Sequence, residues 1–402
     1  MFGFHVGREW SRGARPQLAQ EVAAARAFFD AEGGATEGGG EGQPFAFQVF
    51  VAGPRNMKFT ADLAEAHGLR DHIRACNAEG RPTWGVAHGT YMDMPWNTDK
   101  PSHHWTTKWI RRELRRAASA GLSGLVVHLN SEPADRVLKV LPRVVPPAPQ
   151  VKLIEEECAS GLLGAMLAAP EEYPEGREDD EGREDEDLER WECHIRHCAP
   201  IRPAREDATS PPLDCVRLYL ETPHLRLRDE QSADRTEGLV PYDTPEKLCA
   251  LFSRIRETVD PSLAYFGLCI DTAHIWSCGQ DIASYADAAD WLRRFEKAAQ
   301  GVFPLGRAEG TPAVMFHLND EVHPIGSGAD EHARLVRGAM WGKYRGEPGA
   351  SGLRAFTEFA QKYNIPTVLE RKGKSAAKDP DGGFTTREAL ASDLATLREV
   401  TA

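Results

Sequence analysis

The sequence predicts an α/β chain folded as a (β/α)8 barrel, and three observations carry that prediction. Eight short β-rich runs alternate with longer stretches of helical period, as a parallel α/β architecture requires. Most of those runs end in, or next to, histidine, aspartate or glutamate, and a barrel gathers the ends of all its strands on one face. No glycine-rich phosphate fingerprint follows the first run, which counts against the main competitor, a doubly wound open sheet.

In order, the runs are FGFHV (2–6), FAFQVFV (45–51), TWGVAH (83–88), GLVVHL (124–129), RLYLET (217–222), YFGLCID (265–271), AVMFHLND (313–320) and IPTVLE (365–370). Between them lie helix-like stretches such as PQLAQEVAAARAFF, TTKWIRRELRRAASAG, PEKLCALFSRIRETV and GLRAFTEFAQKY. One barrel domain over 1–402 accounts for the pattern, with two insertions. Residues 31–44, AEGGATEGGGEGQP, read as a glycine-rich loop between the first helix and second strand. Residues 133–214 read as a longer insertion between strands four and five, with a helix near 151–169 and then an acidic tract, 171–192, that has the composition of disorder.

A content of 41% hydrophobic residues is enough for a substantial core. The chain shows neither an apolar run of about 18 residues nor a basic-then-apolar start, so an intracellular protein without a membrane span is expected. The 8 cysteines form no dense framework and read as reduced thiols. The formal charge of −13 looks hostile to nucleic acid until it is located. The acidic tract holds thirteen acids against three arginines, so everything else carries only about −3. Lys108, Arg111, Arg112, Arg115 and Arg116 offer a local basic face, although they also fit the solvated side of a helix. Cys193, His194, His197 and Cys198 crowd soft ligands into CHIRHC, but one C-x4-C pair makes a poor zinc site and an ordinary polar segment is the simpler reading.

The chemistry is expected where the strands end. The third run ends in His88, the fourth has His128 beside its end, and the fifth has Glu221. Asp271 ends the sixth with His274 three residues on; the seventh carries His317, and its loop adds Asp330 and His332; Glu370 ends the eighth. Singly, such residues are more often hydrogen-bonded structure or helix caps. Six successive strands ending this way point to metal. Five histidines and four carboxylates suit zinc, or zinc with manganese or iron at one position, rather than the all-oxygen sites of calcium and magnesium. At three or four ligands per ion, nine ligands suggest two or three ions.

The segments AHGTYMDMPWN, VVHLNSE, LYLETP, LCIDTAHIWSCGQDI, FHLNDEVHPIGSGADEH and IPTVLE together resemble the endonuclease IV family of zinc-dependent apurinic/apyrimidinic (AP) endonucleases, over nearly the whole chain apart from the insertions. The resemblance implies three zinc ions: the first on His88, His128 and Glu221, the second on bridging Glu221 with Asp271, His317 and Glu370, the third on His274, Asp330 and His332. It makes Glu221 and Glu370 catalytic carboxylates as well as ligands. It implies hydrolysis of DNA 5′ to an abasic site in base excision repair, 3′-end trimming, and double-stranded DNA as partner of a monomer, with Arg55 and Tyr91 entering the duplex. Three departures stand out: Leu129-Asn130 after His128 where the family has Pro-Gly, Glu331 where it has arginine, and VRGAMWG (336–342) where it has a Gly-Glu-Gly motif. They bear on DNA affinity more than on metal binding. Two other readings remain at this point, a metal-dependent sugar isomerase or epimerase of similar architecture and a metal-stabilised DNA-binding protein without turnover.

Overall fold

Strands buried on both faces need a continuous apolar sequence, and closure into a barrel removes their unpaired edges. Eight parallel strands do this here: β1 (Phe2–His5), β2 (Phe45–Val49), β3 (Thr83–His88), β4 (Gly124–His128), β5 (Arg217–Glu221), β6 (Phe266–Asp271), β7 (Val314–His317) and β10 (Thr367–Leu369), the last pairing back onto β1. The structure, a computed structural model, describes residues 1–7, 10, 17–33, 42–53, 59–91, 96, 103–130, 132–144, 216–224, 242–260, 263, 265–302, 304–306, 311–372 and 383–401, the side chains of 103–105 excepted. The acidic tract, CHIRHC, the expected helix near 151–169, Arg55 and most of the glycine-rich loop lie outside the described residues.

The longer helices bury one stripe against the barrel. In α2 (Leu63–Ala78) the buried positions are Ala66, Leu69, Ile73 and Cys76, a three-to-four spacing, and the Asp62 side chain caps the start by accepting from the Glu65 amide at 2.8 Å. Thr244 with Pro245 and Ser284 begin α5 (Pro245–Thr258) and α7 (Tyr285–Ala299) in the same manner. Residues at the start of the second expected insertion form α4 (Ala134–Val144), which buries Val137, Val140, Leu141 and Val144. The ring of helices also includes α1 (Leu18–Gly33), α3 (His103–Ser119), α8 (Gly352–Lys362) and α9 (Thr386–Thr401); α6 (Thr272–Ser277) is one short turn between β6 and α7.

The seventh run does not continue as one strand to residue 320. Barrel pairing stops at His317, and Asp320–Glu321 (β8) pair antiparallel with His332–Ala333 (β9) as a separate two-stranded ribbon. The reason lies in the Asp320 carboxylate. It is fully buried and accepts from four backbone amides, Glu321 at 2.9 Å, Trp341 at 3.2 Å, Arg337 at 3.2 Å and Gly338 at 2.9 Å, so the chain must curl around it.

Inside the barrel, Ala46, Val86, Val126, Tyr219, Cys269, Met315 and Val368 form one apolar layer, which Trp84 joins from one step lower on β3. Side chains alternate along a strand, so the residue two positions further on faces the same interior. Those residues are Gln48, His88, His128, Glu221, Asp271, His317 and Glu370. The cation-ligand types therefore form the layer directly above the apolar one. Tyr219 anchors the lower layer by donating its hydroxyl to the Pro312 carbonyl at 2.6 Å, and its ring lies against Gly124 and Gly267, where an added Cβ would stand 2.5 Å away. Gly267→Ala is expected to destabilise the fold by about 1–3 kcal/mol through overpacking, read as a lower urea midpoint. An unchanged midpoint would show that Tyr219 is not clamped from that side.

Candidate metal centre

Glu221 sits at the middle of the rim. It is buried at the end of β5, paired in register with His128 on β4 and Cys269 on β6. One oxygen, Oε1, lies 2.8 Å from His317 Nδ1. The other, Oε2, lies 3.1 Å from His128 Nε2 and 3.4 Å from His88 Nε2, yet it accepts no hydrogen bond among the described residues. Two imidazoles approach this carboxylate oxygen without a hydrogen-bond geometry.

The tautomers explain why. His88 Nδ1 stands 2.8 Å from the Gly89 carbonyl oxygen, which can only accept, so Nδ1 carries a proton and, in that tautomer, the Nε2 lone pair turns toward Glu221. His274 Nδ1 stands 2.7 Å from the Thr222 carbonyl oxygen, leaving the Nε2 lone pair 3.5 Å from Asp330 Oδ1, and Nε2 too has no hydrogen-bond partner among the described residues. His317 Nε2 meets Gln48 Oε1 at 2.8 Å, and that amide is oriented because its Nε2 donates to Glu370 Oε1 at 2.6 Å. His317 Nδ1 in turn makes a direct hydrogen bond of 2.8 Å with Glu221 Oε1, so both ring nitrogens meet oxygen acceptors. Lone pairs of two histidines, His88 and His274, thus face carboxylate oxygens. Acceptor against acceptor repels unless a cation lies between, and outer hydrogen bonds that fix the ring orientation are what metal-ligating histidines require.

All nine residues named from the strand ends lie on this rim. His88, His128 and Glu221 form one group of closely spaced ligand atoms, and Glu221, Asp271, His317 and Glu370 form another. His332 Nε2 lies 3.0 Å from Asp330 Oδ1, which completes a third group with His274. The boundary between the second and third groups is shared, because Asp271 also clusters with His274 and His332 and its Oδ2 is 3.6 Å from His332 Nε2. Asp271 also caps α6, its Oδ1 accepting from the amides of Ala273 at 2.7 Å and His274 at 3.2 Å. The donor set and the lone-pair directions fit zinc-type cations.

Tyr91 is exposed beside this rim, its ring 5.1 Å from that of His88 and 5.5 Å from that of His128. His323 is half-buried and lies 3.4 Å from Glu331. Gly326 and Gly328, both at positive φ, turn the loop back so that their amides donate to the carbonyls of Trp276 and Ser277 at 3.1 and 3.2 Å. Arg116 of the basic helix donates to the Ala61 carbonyl and packs over Phe59, so it is committed to the fold.

Four residues of the site were not singled out from the sequence. Gln48 is a buried amide inside an apolar run, and that oddity was its signal. His5 ends the first strand, and the strand-end rule applied to FGFHV would have found it; its Nδ1 lies 3.3 Å from Gln48 Nε2. His224 follows Glu221 by three residues and places its ring 5.1 Å from His274. Asn319 donates its amide to Asp271 Oδ2 at 2.8 Å and Glu370 Oε2 at 3.2 Å.

Burying this many charges without metal leaves protons as the bridging cations. Burial works against protonation of His274 and His317, but the neighbouring charged groups prevail and raise both well above the ordinary imidazole range. Burial likewise opposes, and Asp271 and Asp330 outweigh it, at His332, which is pushed up to about 9. His128 goes the other way. Its burial outweighs the pull of Glu221 and lowers it to about 4.

No protein-family model matches the chain. A relative named probable AP endonuclease, from African swine fever virus (isolate Pig/Kenya/KEN-50/1950), is 30% identical over 324 residues, spanning 81% of this chain and 78% of its own. A solved structure described as AsfvAP:AG matches with a TM-score of 0.67 at 28% identity, over 100% of this chain and 99% of the other. Endonuclease IV from Thermus thermophilus shares the fold at a TM-score of 0.54 and 19% identity, covering 99% of each chain.

In the metal-free protein, imidazole resonances followed by NMR should place the His128 midpoint near 4 and that of His332 near 9. The depressed value means that His128 contributes stability above pH 6.5 that is lost as the pH falls through 4. The raised value means that His332 contributes stability below pH 6.5 that is lost as the pH rises through 9. Both midpoints near 6.5 would show that the rim is open to water and the carboxylates do not act on it.

Proposed function

The chain belongs to the AP endonuclease family of the endonuclease IV type, and from that premise we propose that it is a zinc-dependent DNA repair nuclease that cuts the phosphodiester 5′ to an abasic site and also trims blocked 3′ ends. The observation that carries the reading is the pair of imidazole nitrogens, of His88 and His274, turned onto Glu221 and Asp330 without a hydrogen bond by fixed outer contacts. His88, His128 and Glu221 would hold one zinc, Glu221, Asp271, His317 and Glu370 a second, and His274, Asp330 and His332 a third. Manganese or iron at one position fits the same donors.

Bound zinc supplies Lewis acidity to a phosphate oxygen and lowers the pKa of water enough to furnish a nucleophile at neutral pH. The chain's own residues supply order. Glu221 presents one oxygen to each of two ligand sets, which fixes their separation. Gln48, Gly89 and Thr222 lock the three histidine rings, so no reorientation is needed when charge develops on the phosphate. The apolar layer below, with Val86, Val126, Tyr219 and Met315, closes the floor of the site to water. Tyr91, exposed at the rim, would enter the gap left by the missing base, and Arg55 is assigned the same role from the sequence.

The test is incision of a duplex carrying one tetrahydrofuran abasic-site analogue, which cannot undergo β-elimination. The parent should leave a 3′ hydroxyl on the 5′ side of the lesion and bind about three zinc ions. Glu221→Gln removes the shared carboxylate charge and should lower incision at least about 100-fold while releasing zinc. A fully metallated parent that cuts no DNA would sink the nuclease reading and move the case to sugar isomerisation or to binding without turnover.

A further inference from the structure

Asp393 is on α9, outside the set of nine ligand-type residues, and is fully buried. Its Oδ2 accepts from Arg371 Nε, and the Arg371 side chain is itself buried, with 2% exposure. The rest of that guanidinium is spent on the rim. Its Nη1 donates to Asn319 Oδ1 at 2.8 Å and to the Glu370 carbonyl at 2.8 Å, and its Nη2 reaches the Leu318 carbonyl at 3.5 Å. Asn319 Oδ1 accepts a second bond from the Glu370 amide at 3.1 Å.

Two donors on the oxygen settle which way the Asn319 amide points. Its Nδ2 must face the opposite side, where Asp271 Oδ2 and Glu370 Oε2 receive it. We propose that Asp393 and Arg371 are positioning residues that, through Asn319, set the orientation of the Asp271 and Glu370 carboxylates and thereby the affinity of the cation position those carboxylates share. The proposal rests on the metal-centre reading and adds to it a dependence on the C-terminal helix.

A second bond widens the reach of Asp393. Its Oδ1 accepts from the Leu335 amide at 2.8 Å, three residues beyond His332. One carboxylate on α9 therefore holds both the arginine that orients the second group and the strand exit that carries a ligand of the third. The ordinary alternative is that Arg371 and Asp393 are a buried ion pair serving stability alone. Buried pairs are weak stabilisers relative to apolar replacements, and here the guanidinium's remaining donors go to the backbone and side chain of residues 318–319 and 370.

The experiment compares zinc affinities of the parent, Arg371→Met, Arg371→Lys and Asp393→Asn by competition with a chromophoric chelator, with circular dichroism and thermal unfolding read in parallel. Arg26→Met serves as a stability control, because Arg26 is equally buried and bonds Asp30, Gln43 and Pro82 away from the rim. Arg371→Met and Asp393→Asn should weaken at least one zinc by about 10–100-fold, the range for outer-shell residues, and Arg371→Lys should recover part of that loss. The control should lower the unfolding temperature and leave every zinc affinity unchanged. Should Arg371→Met fail to fold, Asp393→Asn, which keeps its shape and the acceptor for Leu335, decides the matter. Variants that bind zinc as the parent does would overturn the relay alone, whereas a parent that binds no zinc would overturn the metal centre and the relay together.

Discussion

Everything at the mouth of this barrel depends on gathering four carboxylates, Glu221, Asp271, Asp330 and Glu370, among five imidazoles, with Glu221 and Asp271 wholly removed from water. Unpaired charges in such a place cost many kcal/mol, so the arrangement persists only with cations, whether protons or metal, in its midst. One direct histidine–carboxylate hydrogen bond is present, from His317 to Glu221 at 2.8 Å. The outer nitrogens of His88, His274 and His317 are committed to a carbonyl, a second carbonyl and an amide oxygen. Those three acceptors decide how the rings are turned. The site is thus specified one shell further out than the residues that would touch the metal.

The barrel makes that specification inexpensive. Because side chains alternate, one decision about the interior face of each strand fixes two layers at once. Val86 places His88, Val126 places His128, Tyr219 places Glu221, Cys269 places Asp271, Met315 places His317 and Val368 places Glu370, each by a step of two residues. Parallel register then sets the neighbours, with His128 opposite Glu221 and Asp271 opposite His317. Packing below and chemistry above are the same constraint, and a register slip of one residue in any of these strands would turn that strand's ligand out of the barrel.

This layering is why so much was legible in the sequence. An apolar run with a histidine or carboxylate at its end states both that the run is a parallel strand and that its last side chain faces the rim. His88, Asp271 and His317 could be read in that way because the strand and the ligand end together. What escaped notice depends on distant pairing. Gln48 looks like a lone polar residue until β2 is seen beside β1, near His317 and Glu370, and nothing local announces that Asn319 is turned by Arg371. The seventh run misled for a related reason. AVMFHLND is apolar enough to read as one strand, but Asp320 needs four amides that lie up to 21 residues ahead, and meeting that need bends the chain out of the sheet.

The same bend changes the meaning of the sequence departures. VRGAMWG wraps the Asp320 carboxylate through the amides of Arg337, Gly338 and Trp341, and Gly338 is required there because a Cβ would meet the Glu321 carbonyl oxygen at 2.3 Å. Val336, at positive φ, and Trp341, whose indole donates to the Ile282 carbonyl at 3.2 Å, belong to the same turn. None of these bonds goes to a ligand-type residue of the rim. Glu331, the acid in place of an arginine, turns outward, 3.4 Å from His323, with its amide tied to Glu321 at 3.1 Å. Of these departures Glu331 is the one that stands at the surface, where an approaching phosphate backbone would meet its charge, whereas VRGAMWG is spent on the buried Asp320 turn and leaves the groups around Glu221 untouched.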